Sequence, residues 1–252
     1  MNAAASYIHL NWRITGAIIN AAGIVLGGVS ALAIRKRIPV RYEFVLKVAL
    51  GVYTCWFGLG LTWASLNGTW QQILRELAIL LVAMTLGRMT GKLMGLQRRS
   101  NSIGQYASRV LGAPTASRQS QDGFLLATAL FCAGPLALLA SVQEGLTGFS
   151  PVFFVKAGTD GLAAFSFCST FGWGATASAL PVLAFEGALI RVVRALEPFL
   201  HAQPWPLIDS INAVDGMLIF CVAMLILGVK KISVADYLPS LIFAPLLTRW
   251  LW

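Results

Sequence analysis

Eight apolar stretches follow one another along the sequence, at about 14–34, 44–66, 73–95, 123–142, 153–174, 177–197, 210–229 and 235–252. A helix needs about 20 apolar residues to cross the hydrocarbon core of a bilayer, so each stretch reads as a span. The remaining sequence is mostly short polar loops. Of the 252 residues 57% are hydrophobic and only 12% charged, against roughly 25% charged in soluble domains. The expected fold is therefore all-α: a single domain over 1–252 of about eight transmembrane helices, embedded in the lipid bilayer. Ala31-Leu32-Ala33 resembles a signal-peptidase site, but the charges Arg35, Lys36 and Arg37 follow the first apolar run and only Arg13 precedes it. A secretory signal has the opposite order, so the run is kept as a span.

The net charge of +9 is distributed by topology. With eight spans and the N-terminus outside, thirteen of the 19 basic residues fall inside, including Arg98, Arg99, Arg109 and Arg118 of the long polar loop 97–122. That bias predicts a membrane protein with both termini outside, and it removes any reason to expect a nucleic-acid partner. Ile103, Tyr106 and Val110 suggest a short surface helix in the loop. Cys55, Cys132, Cys168 and Cys221 lie deep in apolar runs without metal-ligand spacing and read as small buried hydrophobes. His9 and His201 lie outside the spans. No Ser-His, paired-Asp or cofactor motif is visible, so neither an enzyme nor a cofactor is expected, and the identity of any metal is left open.

Phe153 to Gly174, FFVKAGTDGLAAFSFCSTFGWG, carries the most informative charges. A carboxylate within a span costs roughly 2.5–3.5 kcal/mol on insertion scales. At 100° per residue Lys156, Thr159, Asp160, Ala163, Ser166 and Thr170 share one face, and Gly158, Gly161, Ser169 and Gly172 the opposite one. Asn20, Asp160, Asn212 and Asp215 all come within about two turns of the outer surface, with Glu186 nearer the midplane. Gln143, Glu144, Lys156 and Arg191 are expected at the outer mouth of a polar site. Gly134, Pro135, Pro181, Gly172 and Gly174 are expected at breaks or hinges. Gly87, Gly91 and Gly95 recur four apart, a helix-packing or oligomer face.

These residues also carry plainer readings. Lys156 and Asp160 suit a within-helix ion pair. Asn20 and Asn212 suit interhelical hydrogen bonding. Weak internal similarity between 14–96 and 123–197 suggests a three-plus-three inverted repeat, followed by a C-terminal helix pair over 210–252.

The motifs INAAGIVLGG, LFCAGPLALLASVQEGL, VKAGTDGLAAFSFCSTFGWG and INAVDGMLI, followed by LGVKKISVADYLPSL, extend over nearly the whole chain in one order. Together they resemble the uncharacterised bacterial membrane proteins of domain-of-unknown-function family 554, the YqgA/YdfK-like proteins. The resemblance implies a multi-span inner-membrane protein and no established activity. This chain departs from the family pattern at Asp215, where a small residue is usual, and at Pro135.

The functional expectation, drawn from the polar residues themselves, is a transporter or channel for a small solute, most simply an inorganic ion. Asp160 would be its principal charged ligand, Asn20 and Asn212 neutral ligands, and Glu186, Asp215 and Thr159 further contributors. A homo-oligomer through the glycine stripe is expected with it. The alternative is a scaffold, assembly factor or sensor that binds another membrane protein or lipid.

Overall fold

A computed structural model describes residues 14–34, 39–102, 105, 119–202 and 206–251. The segment 103–110, where the surface helix is expected, falls almost wholly outside these residues, as do His9 and the basic run after the first span. The described helices are α1 Thr15–Ile34, α2 Val40–Ser65, α3 Trp70–Met94, α4 Gln119–Ala133, α5 Pro135–Thr147, α6 Val152–Phe171, α7 Gly174–Ala177, α8 Ala179–His201, α9 Leu207–Ile226, α10 Val234–Tyr237 and α11 Ser240–Leu251. Among the described residues there are no strands.

Local chemistry sets the boundaries. Thr69 and Gln72 form a reciprocal capping box at the start of α3, satisfying two otherwise orphaned backbone donors. Gly95 ends the same helix in the left-handed region at φ 65°, a conformation that favours glycine. Gly172 ends α6 at φ 70° and ψ −157°, a positive-φ conformation outside the left-handed helical region that only glycine adopts readily, and turns the chain towards the short α7. Pro239 separates α10 from α11, so the last apolar run is two pieces rather than one helix.

Among the described residues four helical segments are long and apolar enough to cross a membrane: Thr15–Ile34, Phe44–Ser65, Trp70–Met94 and Leu207–Ile226. The pair Gly123–Ala133 and Pro135–Thr147, bent by 56° at Gly134, makes a fifth if it is one span. The outward surface fits a lipid environment: Leu93 is 87%, Trp250 83% and Trp63 79% exposed.

Two helix pairs dominate the packing, α1 against α6 and α2 against α9. In the first pair, a Cβ on Gly23 would lie 2.6 Å from the Ala157 carbonyl oxygen, and one on Gly27 would collide with the Gly161 backbone. Both residue numbers increase along the contact, so α1 and α6 run parallel. In the second pair Gly58 abuts Gly216 and Phe220, Thr62 meets Ala213, and Gly51 meets Leu227. There one number rises as the other falls, so α2 and α9 run antiparallel. Small residues in both seams let the backbones close to near contact.

The first seam belongs to a half built from α1 and α4–α8, the second to a half built from α2, α3 and α9–α11. One apolar core, with Ile24, Phe131, Phe167 and Val182, lies within the first half. Another, with Leu80, Leu139, Val155, Val214 and Leu218, joins the two. A two-fold relating 14–96 to 123–197 would require an α2 pairing with α4–α5 to match that of α1 with α6. The extensive partner of α2 is instead α9.

Gly87 and Gly91 are occupied within the chain. Their missing side chains make room for Ser240 and for the Asp236 backbone, so this part of the expected oligomer face is a seam between α3 and the final helices. Gly95 acts as the cap described above.

Candidate functional site

The cluster assembles from a turn near the start of α1, the first half of α6 and the first half of α8. Asn20 lies on the α1 side that meets α6 and is fully buried. Its amide nitrogen donates to Asp160 Oδ2 at 3.2 Å and to Glu186 at 2.9 Å (Oε1) and 3.2 Å (Oε2). The Lys156 ammonium, itself buried, pairs with Asp160 one turn along α6 and with Glu186 Oε1 at 3.3 Å. Glu186 is fully buried, and the Asp160 side chain is 14% exposed. One amide and one ammonium thus hold two carboxylates, a buried network of the kind desolvation allows only when its charges are paired.

A third Lys156 contact explains how the broken span participates. The ammonium donates to the Phe131 carbonyl at 3.0 Å. In an uninterrupted helix that carbonyl would accept from the backbone N–H of residue 135, but Pro135 has no N–H. The proline that breaks the span frees a carbonyl, and the lysine takes it. Sequence reasoning did not select Phe131, although counting four residues back from Pro135 identifies the orphaned acceptor.

Two valences in this cluster are unbalanced. The Asn20 side-chain oxygen Oδ1 is buried and accepts no hydrogen bond. Formal charges also sum to one excess negative, with two carboxylates against one ammonium. An oxygen-lined, net-negative position suits a small cation better than an anion.

The other expected site residues are placed differently. Thr159 donates its hydroxyl to the Lys156 carbonyl at 3.0 Å, back along its own helix. Gln143 and Glu144 are buried, where an outer mouth would leave them wetted. Both Glu144 carboxylate oxygens accept from Gly16 N, at 3.0 and 2.9 Å. The first turn of α1 has unpaired N–H groups and a positive dipole end, which together draw a carboxylate in. Arg194 Nη2 donates to the Glu144 carbonyl at 3.3 Å. Lys156 lies inside the cluster rather than at a mouth, while Arg191 is exposed.

Gly134 has extended backbone and precedes Pro135, the first residue of α5, as a break requires. Pro181 falls in the first turn of α8, and the carbonyl its missing N–H would have bonded belongs to Ala177, the last residue of α7, so it coincides with the α7–α8 boundary at Ser178. Gly172 and Gly174 flank the α6–α7 turn.

Asn212 and Asp215 do not join the cluster. They lie on α9 in the other half, and neither has a hydrogen bond to Asn20, Lys156, Asp160 or Glu186 among the described residues. A shared depth along different helices does not imply a shared site. The second half also holds a polar group that sequence reasoning missed. Ser210 donates to buried Glu76 at 3.1 Å and shares a hydrogen bond with Thr248. Glu76 was legible as an acid inside the third span. Among the described residues no group of three or more His, Cys, Asp and Glu is arranged to hold a metal.

The sequence matches the family model described as "Protein of unknown function (DUF554)" over residues 15–249. It is 27% identical over 230 residues to the uncharacterised membrane protein YdfK of Bacillus subtilis, covering 91% of this chain and 93% of that protein. It is 24% identical over 241 residues to the uncharacterised protein YqgA of Escherichia coli, covering 94% and 97% respectively. No solved structure matches it. Nearly every residue discussed above lies within the matched span, and this chain belongs to the DUF554 family of membrane proteins.

Proposed function

We propose that the protein moves a small inorganic cation across the bacterial inner membrane, with the Asn20–Lys156–Asp160–Glu186 cluster as the ion-responsive site. The observation that carries this reading is a buried cluster with an excess carboxylate and an open Asn20 Oδ1. An incoming cation, or a proton, would neutralise the excess charge and compete with the Lys156 ammonium for Asp160 and Glu186. Release of Lys156 would also free the Phe131 carbonyl at the Gly134-Pro135 break, linking occupancy of the site to the angle between α4 and α5.

The helix registers support an alternating eight-crossing layout with both termini outside. If α4 and α5 make one bent crossing, strict alternation requires α6 to run parallel to α1. It also requires α9 antiparallel to α2 and α11 antiparallel to α3; the contacts of Gly58 with Gly216 and Gly51 with Leu227, and of Gly87 with Ser240 and Gly91 with Asp236, run in those senses. The charge bias of the loops supplies the orientation.

The test is flux into proteoliposomes under sodium or potassium gradients, with an internal pH dye reporting counter-movement of protons. Native protein is expected to move one of these ions, and Asp160→Asn and Glu186→Gln each to lower the rate about tenfold or more, as for loss of a charged ligand. Unchanged flux in both variants removes the carboxylates from the mechanism.

A second reading, a non-transport scaffold, assembly factor or sensor, draws on the fact that Lys156 already fills the polar face. No flux of any of the three ions with native protein would favour it.

A further inference from the structure

Asp215 is the most unusual charged residue in the fold. It is fully buried, and neither carboxylate oxygen has a hydrogen-bond partner. Charged groups lie on the helices packed against α9, but those with assigned partners are engaged elsewhere. Glu144 holds Gly16 N, Glu186 holds Asn20 and Lys156, and Asp236 accepts from Gln97 N. Glu76 accepts from Ser210, Arg88 lies over the Tyr237 ring and Arg194 donates to the Glu144 carbonyl. Among the described residues none makes an ion pair with Asp215. The nearest polar group along the same helix is Asn212, one turn earlier, whose side-chain oxygen is also buried and unpartnered.

The direction in which Asp215 faces follows from the packing of α9. Ala213, Gly216 and Phe220 meet α2. At 100° per residue Asp215 lies about 130° round from that face, beside Ile211, Leu218 and Val222. Leu218 and Val222 belong to the core that also contains Leu139 of α5 and Val155 of α6. Asp215 therefore faces the seam where the two halves meet.

An ionised carboxylate cannot be held there without a counter-charge. A metal cation of the kind carboxylates bind takes about six oxygen ligands, and this position offers one carboxyl and one amide oxygen. Thr62, the hydroxyl that meets α9 nearby, is already bonded to the Gly58 and Ala213 carbonyls. One proton, by contrast, needs only the carboxyl. We propose that Asp215 is a proton-binding site in the seam between the halves, separate from the ion-paired cluster. It is held as the neutral acid while the seam is closed, and exchanges its proton with water when the seam opens.

Infrared spectroscopy of the reconstituted full chain at neutral pH tests this without any transport assay, so its outcome is independent of the cation-flux reading. The difference between native protein and Asp215→Asn should contain one carboxylic-acid C=O band. The band should be unmoved by added sodium or potassium and shift on transfer to D2O. If Asp215→Asn fails to fold, Asp215→Glu replaces it, and the band must move rather than vanish. The proposal is overturned by a carboxylate band in place of the acid, by loss of the acid band on adding either cation, or by an acid band that never shifts in D2O.

Discussion

The two halves use the same materials and balance their charge differently. Each is built on a glycine-lined seam, Gly23 and Gly27 against α6 in one and Gly58 against Gly216 in the other. One helix of each seam, α1 and α9, carries an Ile-Asn-Ala triplet near its start, at 19–21 and 211–213. In the first half the buried carboxylates of Asp160 and Glu186 are held by Lys156 and Asn20. In the second half Asp215 has no such partner. A buried acid can be stabilised by a counter-charge or by losing its own charge, and this chain uses both solutions about one helix pair apart.

The sharpest way to break the comparison is to remove the counter-charge in one half and the acid in the other. Lys156→Met leaves Asp160 and Glu186 buried without their ammonium and is expected to cost about 3–5 kcal/mol. Asp215→Val removes a polar group that makes no hydrogen bond, and is expected to be neutral or to stabilise by about 1–3 kcal/mol. Thermal melting in detergent, followed by tryptophan fluorescence, reads both. Similar losses in the two variants would show that Asp215 has a charged partner and that the contrast is false.

The seams offer the next effect. Gly27→Val drives a branched side chain into the Gly161 backbone, and Gly58→Val drives one into the backbone of Gly216 and Phe220. Each is expected to cost about 3 kcal/mol, the upper end for overpacking, because backbone cannot give way as a flexible side chain does. Gly60 has nothing within 4 Å of its added Cβ, so Gly60→Ala should leave melting almost unchanged. If all three variants melt alike, close backbone approach does not hold either half together.

These contrasts also mark what the sequence makes legible. Residue counting along an apolar run yields depth, and depth put Asn20, Asp160, Asn212 and Asp215 at one level with Glu186 nearer the midplane. It says nothing about which helix stands beside which, so it could not separate Asn212 and Asp215, on α9 in the other half, from the cluster. Glu144, near a span end, invited a reading as solvated. The unpaired N–H groups of α1 that bury it belong to a helix 128 residues away in sequence. The glycines of α3 announced a close contact without naming its partner, which is the chain's own C-terminal region. The Phe131 carbonyl required both the proline rule and the position of a lysine on another helix.

Thr159 tests the edge of the first cluster and carries the smallest expected effect. Helical spacing places it on the same face as Lys156 and Asp160, which made it a candidate ligand. Its hydroxyl instead donates to the Lys156 carbonyl three residues earlier. That carbonyl is also a normal helix acceptor, so Thr159→Val deletes a supplementary bond while keeping shape and branching. The expected change is within about 0.5 kcal/mol in melting, with cation flux equal to native. A tenfold fall in flux at unchanged melting would mean that Thr159 turns towards the ion during the cycle. In that case the resting hydrogen bonds would understate the ligand set, and the contrast between an ion-paired half and one with an unpaired acid would need redrawing around a mobile α6.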